Sequence, residues 1–342
     1  MKPYLIRHIQ NEKTNRFPVW MMRQAGRYLA SYQAIRKEHS FWEMVSTPSL
    51  ASQVSLLPLN ELDVDAVIFF SDILTLPYGM KVPVRMEEKV GPVVETPLTN
   101  VKAFELFQDF DFLKNTGFVG EALSMCRKQM DADKTLIGFA GAPWTVATYL
   151  VEGRGKNDFS KIKKWMHEDP ESLSMALSHL GKATTQYLIG QKKSGADMIQ
   201  LFDTWISEMP EWFFKNYYLS TLNQIFDEMK KVEAPSIYFG KGASHLMHLL
   251  PEVKSTGMGV DAVSSMTQVS GYLPNHFLQG NLEPLLLRDG TETAVRAQAK
   301  RVWNEARAIN RPIIMNLGHG LVPNTPVSNV RAYLEEVRKE WN

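Results

Sequence analysis

Two arginines four residues apart, Arg23 and Arg27, follow directly on the apolar run 18–22 and are separated by Gln24, Ala25 and Gly26. A guanidinium stays charged and grips carboxylates through paired hydrogen bonds, so two of them spaced by small residues can converge on one anionic ligand. Arg36, nine residues beyond Arg27, could join them; the alternative for each arginine is an internal salt bridge. Asp72 ends the apolar run 67–70 and either caps a helix or faces a ligand, and local sequence alone supports both readings. Tyr149 lies six residues after Pro143, on what reads as the start of a helix, either as a core tyrosine or as a ligand contact. Thr204 closes Phe202-Asp203-Thr204, and His319 stands in Gly318-His319-Gly320, where glycine permits close backbone approach. Cations of this kind hold a polycarboxylate, and a carboxylate among them stabilises positive charge where it develops. An imidazole adds a group able to titrate near neutral pH.

Such residues need elements to bring them together. Short β-rich or apolar runs at 18–22, 64–70, 135–140, 196–202, 235–239, 258–263, 275–278 and 311–316 read as parallel strands buried on both faces. Helical patterns at 48–61, 119–130, 170–193, 210–231, 291–308 and 326–339 lie between them. The alternation predicts a single (β/α)8 TIM barrel over 1–342. A doubly wound open sheet is the rival, and no G-x-G-x-x-G follows the first strand to favour it. Each run ends in polar or small residues, and in a barrel those ends gather at the C-terminal rim, where active sites of this fold sit.

Composition narrows the function classes. A net charge of +1 gives no global reason to expect nucleic acid. The basic excess of residues 1–50 points instead to a local anion site or a solvated basic face. No stretch is long and apolar enough for a membrane span, and residues 1–16 lack the features of a signal or transit peptide, so no membrane partner and a cytoplasmic location are expected. The single cysteine, Cys126, can form no internal disulfide or two-cysteine zinc site and reads as a buried bystander. Gly240-Lys241-Gly242 lacks P-loop spacing, and Gly153-Arg154-Gly155-Lys156-Asn157 reads as a mobile basic loop that either closes over an acidic ligand or has no function.

The run 22–28, Met-Arg-Gln-Ala-Gly-Arg-Tyr, resembles the N-terminal signature of the uroporphyrinogen decarboxylase family. Gly138-Phe139-Ala140-Gly141-Ala142-Pro143-Trp144-Thr145, through Tyr149 and Glu152-Gly153, resembles its second signature. Phe70-Ser71-Asp72-Ile73-Leu74, Gln279-Gly280-Asn281-Leu282-Glu283-Pro284 and the block 316–320 resemble further family blocks in the same order, so the likeness spans roughly residues 3–340. The resemblance implies an enzyme that decarboxylates the acetate side chains of uroporphyrinogen without a metal or organic cofactor, typically as a homodimer. It assigns substrate contacts to Arg23, Gln24, Ala25, Gly26, Arg27, Arg36, Asp72, Tyr149, Thr204 and His319. Asp72 would accept the pyrrole N–H groups, with Arg23 and His319 beside the reacting ring. The proton donor stays open: a guanidinium is a weak acid with a pKa above roughly 12, a histidine titrates in a more convenient range, and substrate carboxyl groups or water are further routes.

The chain departs from the family pattern at three places: Ala30-Ser31 after Tyr28-Leu29, a shorter segment around Pro77-Tyr78-Gly79-Met80, and Asp261-Ala262-Val263 for an Asp-Trp-Thr triplet. The third lies at the expected rim and bears on substrate fit. Related methyltransferases that bind zinc through His and Cys are disfavoured by the lone cysteine. A non-catalytic tetrapyrrole carrier would bind porphyrinogen without releasing CO2.

Overall fold

Strands form where apolar runs are covered on both faces, and the computed structural model, which describes residues 2–87, 90–155 and 158–341, has nine among those residues. They are β1 (Ala66–Ile68), β2 (Val84–Glu87), β3 (Gly91–Val94), β4 (Thr135–Gly141), β5 (Met198–Asp203), β6 (Ser236–Gly240), β7 (Gly257–Gly259), β8 (Phe277–Leu282) and β9 (Ile313–Leu317). Seven of them make one parallel sheet in the order β1-β4-β5-β6-β7-β8-β9, and β2 and β3 form a separate antiparallel hairpin. Apart from that hairpin the spatial order follows the chain order, whereas a doubly wound sheet reverses direction at a switch point. The α/β architecture is therefore the barrel type.

The strand expected over 18–22 is reduced to one parallel bridge between Val19 and Met315. It still lies between the two edges of the sheet. Met315 N–H donates to Pro18 O at 2.9 Å on one side, and Asp65 N–H donates to Val19 O at 2.8 Å on the other. Proline has no N–H to give, and the Val19 N–H goes to the Asp65 carboxylate at 2.8 Å, so side-chain chemistry replaces ladder bonds. β7 stops at Gly259, short of the expected 263, and β8 runs four residues beyond the expected 278.

The helices Pro48–Glu61 and Pro170–Lys193 have the expected bounds, each opening on a proline whose missing N–H costs nothing there. Asp111 accepts from Lys114 N–H at 2.7 Å and so starts the next helix at Phe112, before the expected 119. The pattern over 210–231 is interrupted by a π-helical turn, Phe214–Tyr218. Trp20, Met22, Ile68, Ile137, Met198, Ile237, Phe239 and Ile314 pack together inside the curl of the sheet, and a larger apolar layer fills the space between sheet and helices. Within the inner layer Trp20 Nε1 donates to Gln279 Oε1 and Gln279 Nε2 to Gln200 Oε1, both at 2.9 Å, which satisfies polar groups that burial would otherwise penalise. Cys126 is fully buried with Sγ 3.4 Å from Ser52 Oγ, and burial raises its thiol pKa, as suits an inert core residue.

Candidate active site

The C-terminal ends of the strands share one rim, and most of the candidate residues lie on it. Arg23 follows residues 18–22, Asp72 comes after β1, Tyr149 lies on the helix Pro143–Glu152 after β4, Thr204 follows β5 and His319 follows β9. Met22, just before Arg23, is held from the β9 side: its N–H donates to Asn316 Oδ1 at 3.1 Å and its carbonyl accepts from Leu321 N–H at 2.8 Å. Arg23 takes the left-handed backbone conformation with φ 61°, which costs energy for a residue bearing a side chain and concentrates at functional sites. Its side chain lies across Gly320, where a Cβ would stand 2.6 Å from Arg23 Cγ and 2.9 Å from Nε. Glycine is required there for close approach.

The field of Arg23 reaches Asp72, Tyr149 and His319, so these four form one electrostatic unit. Asp72 Oδ1 accepts from Leu74 N–H at 2.8 Å and the Asp72 N–H donates to Thr75 Oγ1 at 3.1 Å, an Asx turn that aims the carboxylate. Among the described residues no protein donor lies on Oδ2. The carboxyl is deep in the cleft yet partly open to solvent; burial raises its pKa, against the opposing pull of the Leu74 N–H and of Arg23. Asp72 is thus not the cap of the helix Thr75–Gly79, whose N-cap is Leu74; its Oδ1 shapes the turn before that helix, and Oδ2 meets no donor among the described residues.

Burial, with the nearby charges of Arg23 and Lys241, pushes the His319 pKa down to about 3. This corrects the expectation of a histidine titrating near neutrality, since at pH 7 the imidazole is neutral. Its ring stacks on Phe239 at 6.3 Å and 10°; Phe239 meets Phe202 at 6.0 Å, and Phe202 meets Phe139 at 5.7 Å. Phe239 and Phe139 are buried in the inner core, and Phe202 is the half-buried ring of this row.

None of Arg23, Arg27, Arg36 and Lys241 pairs with a carboxylate among the described residues, so the salt-bridge reading of the arginines does not hold there. Arg27 and Arg36 are exposed and both act on Tyr32, while Arg36 Nη1 donates to His39 O at 2.8 Å. They stand together beside Tyr32. Gln24 is fully buried and its amide is spent on main chain, accepting from Met21 N–H at 3.1 Å and donating to Ala66 O at 2.9 Å. Its side chain is thus a brace for the turn and not a ligand contact. The N–H groups of Ala25 and Gly26 have no protein acceptor among the described residues, which leaves them available to an anion.

Tyr149 meets the Trp205 ring at 6.3 Å and Gly155 lies against its face, where a Cβ would stand 2.8 Å from the hydroxyl. Burial and the Asp72 charge raise its phenol pKa. Thr204 is half-buried, next to Asp203 and Trp205. Of the basic loop expected at 153–157, Arg154 is exposed and bridges Val93, while Lys156 and Asn157 lie outside the described residues. Asp261 is buried and accepts from Gly242 N–H at 2.8 Å and Ser264 Oγ at 2.6 Å, so it braces the rim, with Val263 beyond it 84% exposed. Two rim residues escaped the sequence reading. Lys241 was noticed only for its flanking glycines, and Asp203 only as part of a strand end; neither carries a local signal, because their importance lies in what other strands bring beside them.

Together these features define an α/β-barrel protein whose strand ends gather Arg23, Asp72, Tyr149, Lys241 and His319 at one rim. The family model for "Uroporphyrinogen decarboxylase (URO-D)" matches residues 2–340, and the chain belongs to that family. It is 37% identical over 336 residues to the uroporphyrinogen decarboxylase of Protochlamydia amoebophila, covering 98% of this chain and 91% of the relative. It is 36% identical to that of Dictyostelium discoideum, covering 96% and 92%. Among solved structures, a methyltransferase from Methanosarcina mazei superposes with a TM-score of 0.81 at 20% identity, covering 97% and 96% of the two chains, a likeness of fold.

Proposed function

We propose that this protein converts uroporphyrinogen III to coproporphyrinogen III by removing CO2 from four acetate side chains in turn. The observation that carries the reading is the Asp72 carboxylate, whose Oδ2 meets no donor among the described residues, within the field of Arg23, which pairs with no carboxylate among them. A porphyrinogen has the complementary pattern, with N–H groups at its centre, apolar ring faces and carboxylates round its edge. Arg23 with the Ala25 and Gly26 N–H groups would hold inner carboxylates, and Arg27 and Arg36 outer ones. Asp72 would accept the pyrrole N–H groups. Protonation of a ring carbon makes the ring cationic, the bond to the carboxyl carbon breaks, and its electrons pass into the ring as CO2 leaves. A second proton then completes the methyl group, and the ring carbon gives up the proton it first received, which restores the neutral pyrrole. Asp72 stabilises the cation as it forms, which is how a carboxylate contributes most in a desolvated site. With His319 neutral, the proton comes through solvent or a substrate carboxyl held at the rim. The chain is inferred to act as one catalytic unit, as a homodimer in the cytoplasm.

Anaerobic incubation of the purified protein with uroporphyrinogen III, without added metal or cofactor, should yield coproporphyrinogen, read by chromatography after oxidation to porphyrins. Binding without CO2 release would leave a tetrapyrrole carrier instead.

Two further results are expected. Gly320→Ala should raise KM roughly tenfold or more while the folding midpoint moves little, since it displaces the Arg23 side chain and a charge-assisted hydrogen bond is worth about 1.5–3 kcal/mol. Steady-state kinetics beside a thermal melt checks this. His319→Gln should lower the rate but leave the acid limb of kcat/KM where it was, because His319 is neutral from well below pH 5 upward. A limb that vanished in this variant would return the titrating role to His319.

A further inference from the structure

A fully buried carboxylate, Asp203, lies directly behind the wall of the cleft and has no part in the reaction as derived above. Asp203 is the last residue of β5, and its side chain points outward into the helix layer while the chain continues into Thr204 and Trp205 at the rim. Three hydroxyls donate to it from three different elements. Thr145 Oγ1, on the helix Pro143–Glu152, is 2.6 Å from Oδ1; Tyr218, in the π-helical turn, and Tyr238, in β6, are 2.9 and 2.8 Å from Oδ2.

We infer that Asp203 is a positioning residue for the decarboxylation, acting through Thr145 and Trp205 to set Tyr149 against the substrate; the inference rests on the function proposed above. The argument follows from hydroxyl chemistry. A threonine hydroxyl has one proton, and by taking it Asp203 turns the oxygen lone pairs toward the Trp205 N–H, which donates to Thr145 Oγ1 at 3.1 Å. The Trp205 carbonyl accepts from Trp144 Nε1 at 2.8 Å, so both main-chain polar groups of Trp205 are clamped by consecutive residues of one helix. Trp205 in turn packs its ring against Tyr149, which is four residues after Thr145 and therefore on the same helix face. The π-helical turn belongs to the same arrangement: the oxygen of Tyr218 accepts from Trp144 N–H at 3.2 Å while its proton goes to Asp203. An amide in place of the carboxylate cannot accept all three protons. At least one hydroxyl must turn, and if Thr145 turns, the Trp205 clamp opens beside Tyr149.

The experiment is a double-mutant cycle on kcat/KM for uroporphyrinogen with Asp203→Asn and Tyr149→Phe, made singly and together. Asp203→Asn should lower kcat about tenfold or more with a smaller change in KM. The double variant should be little worse than the poorer single variant, because both changes disable one device. Factors that simply multiply would overturn the inference, as would a Tyr149→Phe variant with parental activity. Should Asp203→Asn fail to fold, Thr145→Val replaces it in the cycle, and Thr145→Ser, which keeps the hydroxyl, should restore the rate. Absence of turnover in the parent would overturn the proposed function alone. Amide exchange then decides this inference: faster exchange of residues 143–155 in Asp203→Asn upholds it, and parental protection there overturns it.

Discussion

Asp72→Asn is expected to lower kcat for decarboxylation roughly 10²–10³-fold, the loss seen when one preorganised electrostatic partner is removed from a developing charge. The substitution is nearly isosteric, and the Oδ1 that accepts from Leu74 N–H can be kept, so the turn after β1 should survive. What is lost is the negative charge at the free oxygen. Binding should suffer less than the rate, because the edge carboxylates of the substrate are held by the arginine rim and not by Asp72. The pH profile supplies a second check. The Asp72 pKa is raised, chiefly by burial, so its ionised form is depleted as pH falls through a value above the ordinary carboxylate figure of about 3.9. Parental kcat/KM should therefore fall on the acid side from a pH higher than a solvated aspartate would give, and the Asn variant should lack that component. Rapid-quench measurement of the first CO2 release separates this from product release. Full activity in Asp72→Asn would keep the assigned reaction and overturn its mechanism.

Asp65→Ala should cost about 3–5 kcal/mol of stability while leaving the turnover of the folded fraction near the parental value. Asp65 sits at the opposite end of the strands from the cleft. It is 2% exposed and receives both Arg16 Nη1 and Nη2 at 2.7 Å, the Val19 N–H at 2.8 Å, and Arg338 Nη1 at 3.2 Å. Its removal strands the half-buried Arg16 and an internal N–H, while Arg338 keeps its pair with Asp63 at 2.8 Å, at a place where the sheet has a bridge in place of a full strand. A loss of that size is a large share of the roughly 5–15 kcal/mol that holds a typical domain together. A urea titration should show a lower midpoint with little change in slope. Burial alone would raise the Asp65 pKa, but the Arg16 hydrogen bonds and the charges of Arg16 and Arg338 overcome it and hold it below the usual carboxylate range. A depressed folded-state pKa stabilises above the unfolded value near 3.9, and that stability is lost as pH falls through the folded value. The gap between parent and Asp65→Ala should accordingly be full at neutral pH and close only in strong acid.

The alternation of short apolar runs with amphipathic stretches was legible because it is local: a strand buried on both faces and a helix buried on one leave different periods in the chain. That periodicity alone predicted the barrel class and the bounds of Pro48–Glu61 and Pro170–Lys193, and Arg23, Asp72 and His319 stood out by type at strand ends, while Tyr149 stood on a helix and was singled out by the resemblance. Boundaries failed where a side chain overrode the pattern, as when Asp111 capped a helix early or Asp65 took the hydrogen bond of a strand. Asp65 and Asp203 were invisible for the same reason. An aspartate's role depends on which donors other segments bring to it, and the donors of Asp203 come from positions 145, 218 and 238. The ionisation of His319 was equally out of reach. Its pKa is set by burial and by Arg23 and Lys241, charges far away in the chain that only the folded rim brings within range. Local period and residue type were enough for the kinds and order of most elements and for the inventory of reactive groups. Which of those groups are paired, neutral or free to meet a ligand was decided by tertiary structure, because Coulomb and hydrogen-bond energies depend on distance in space and not along the chain.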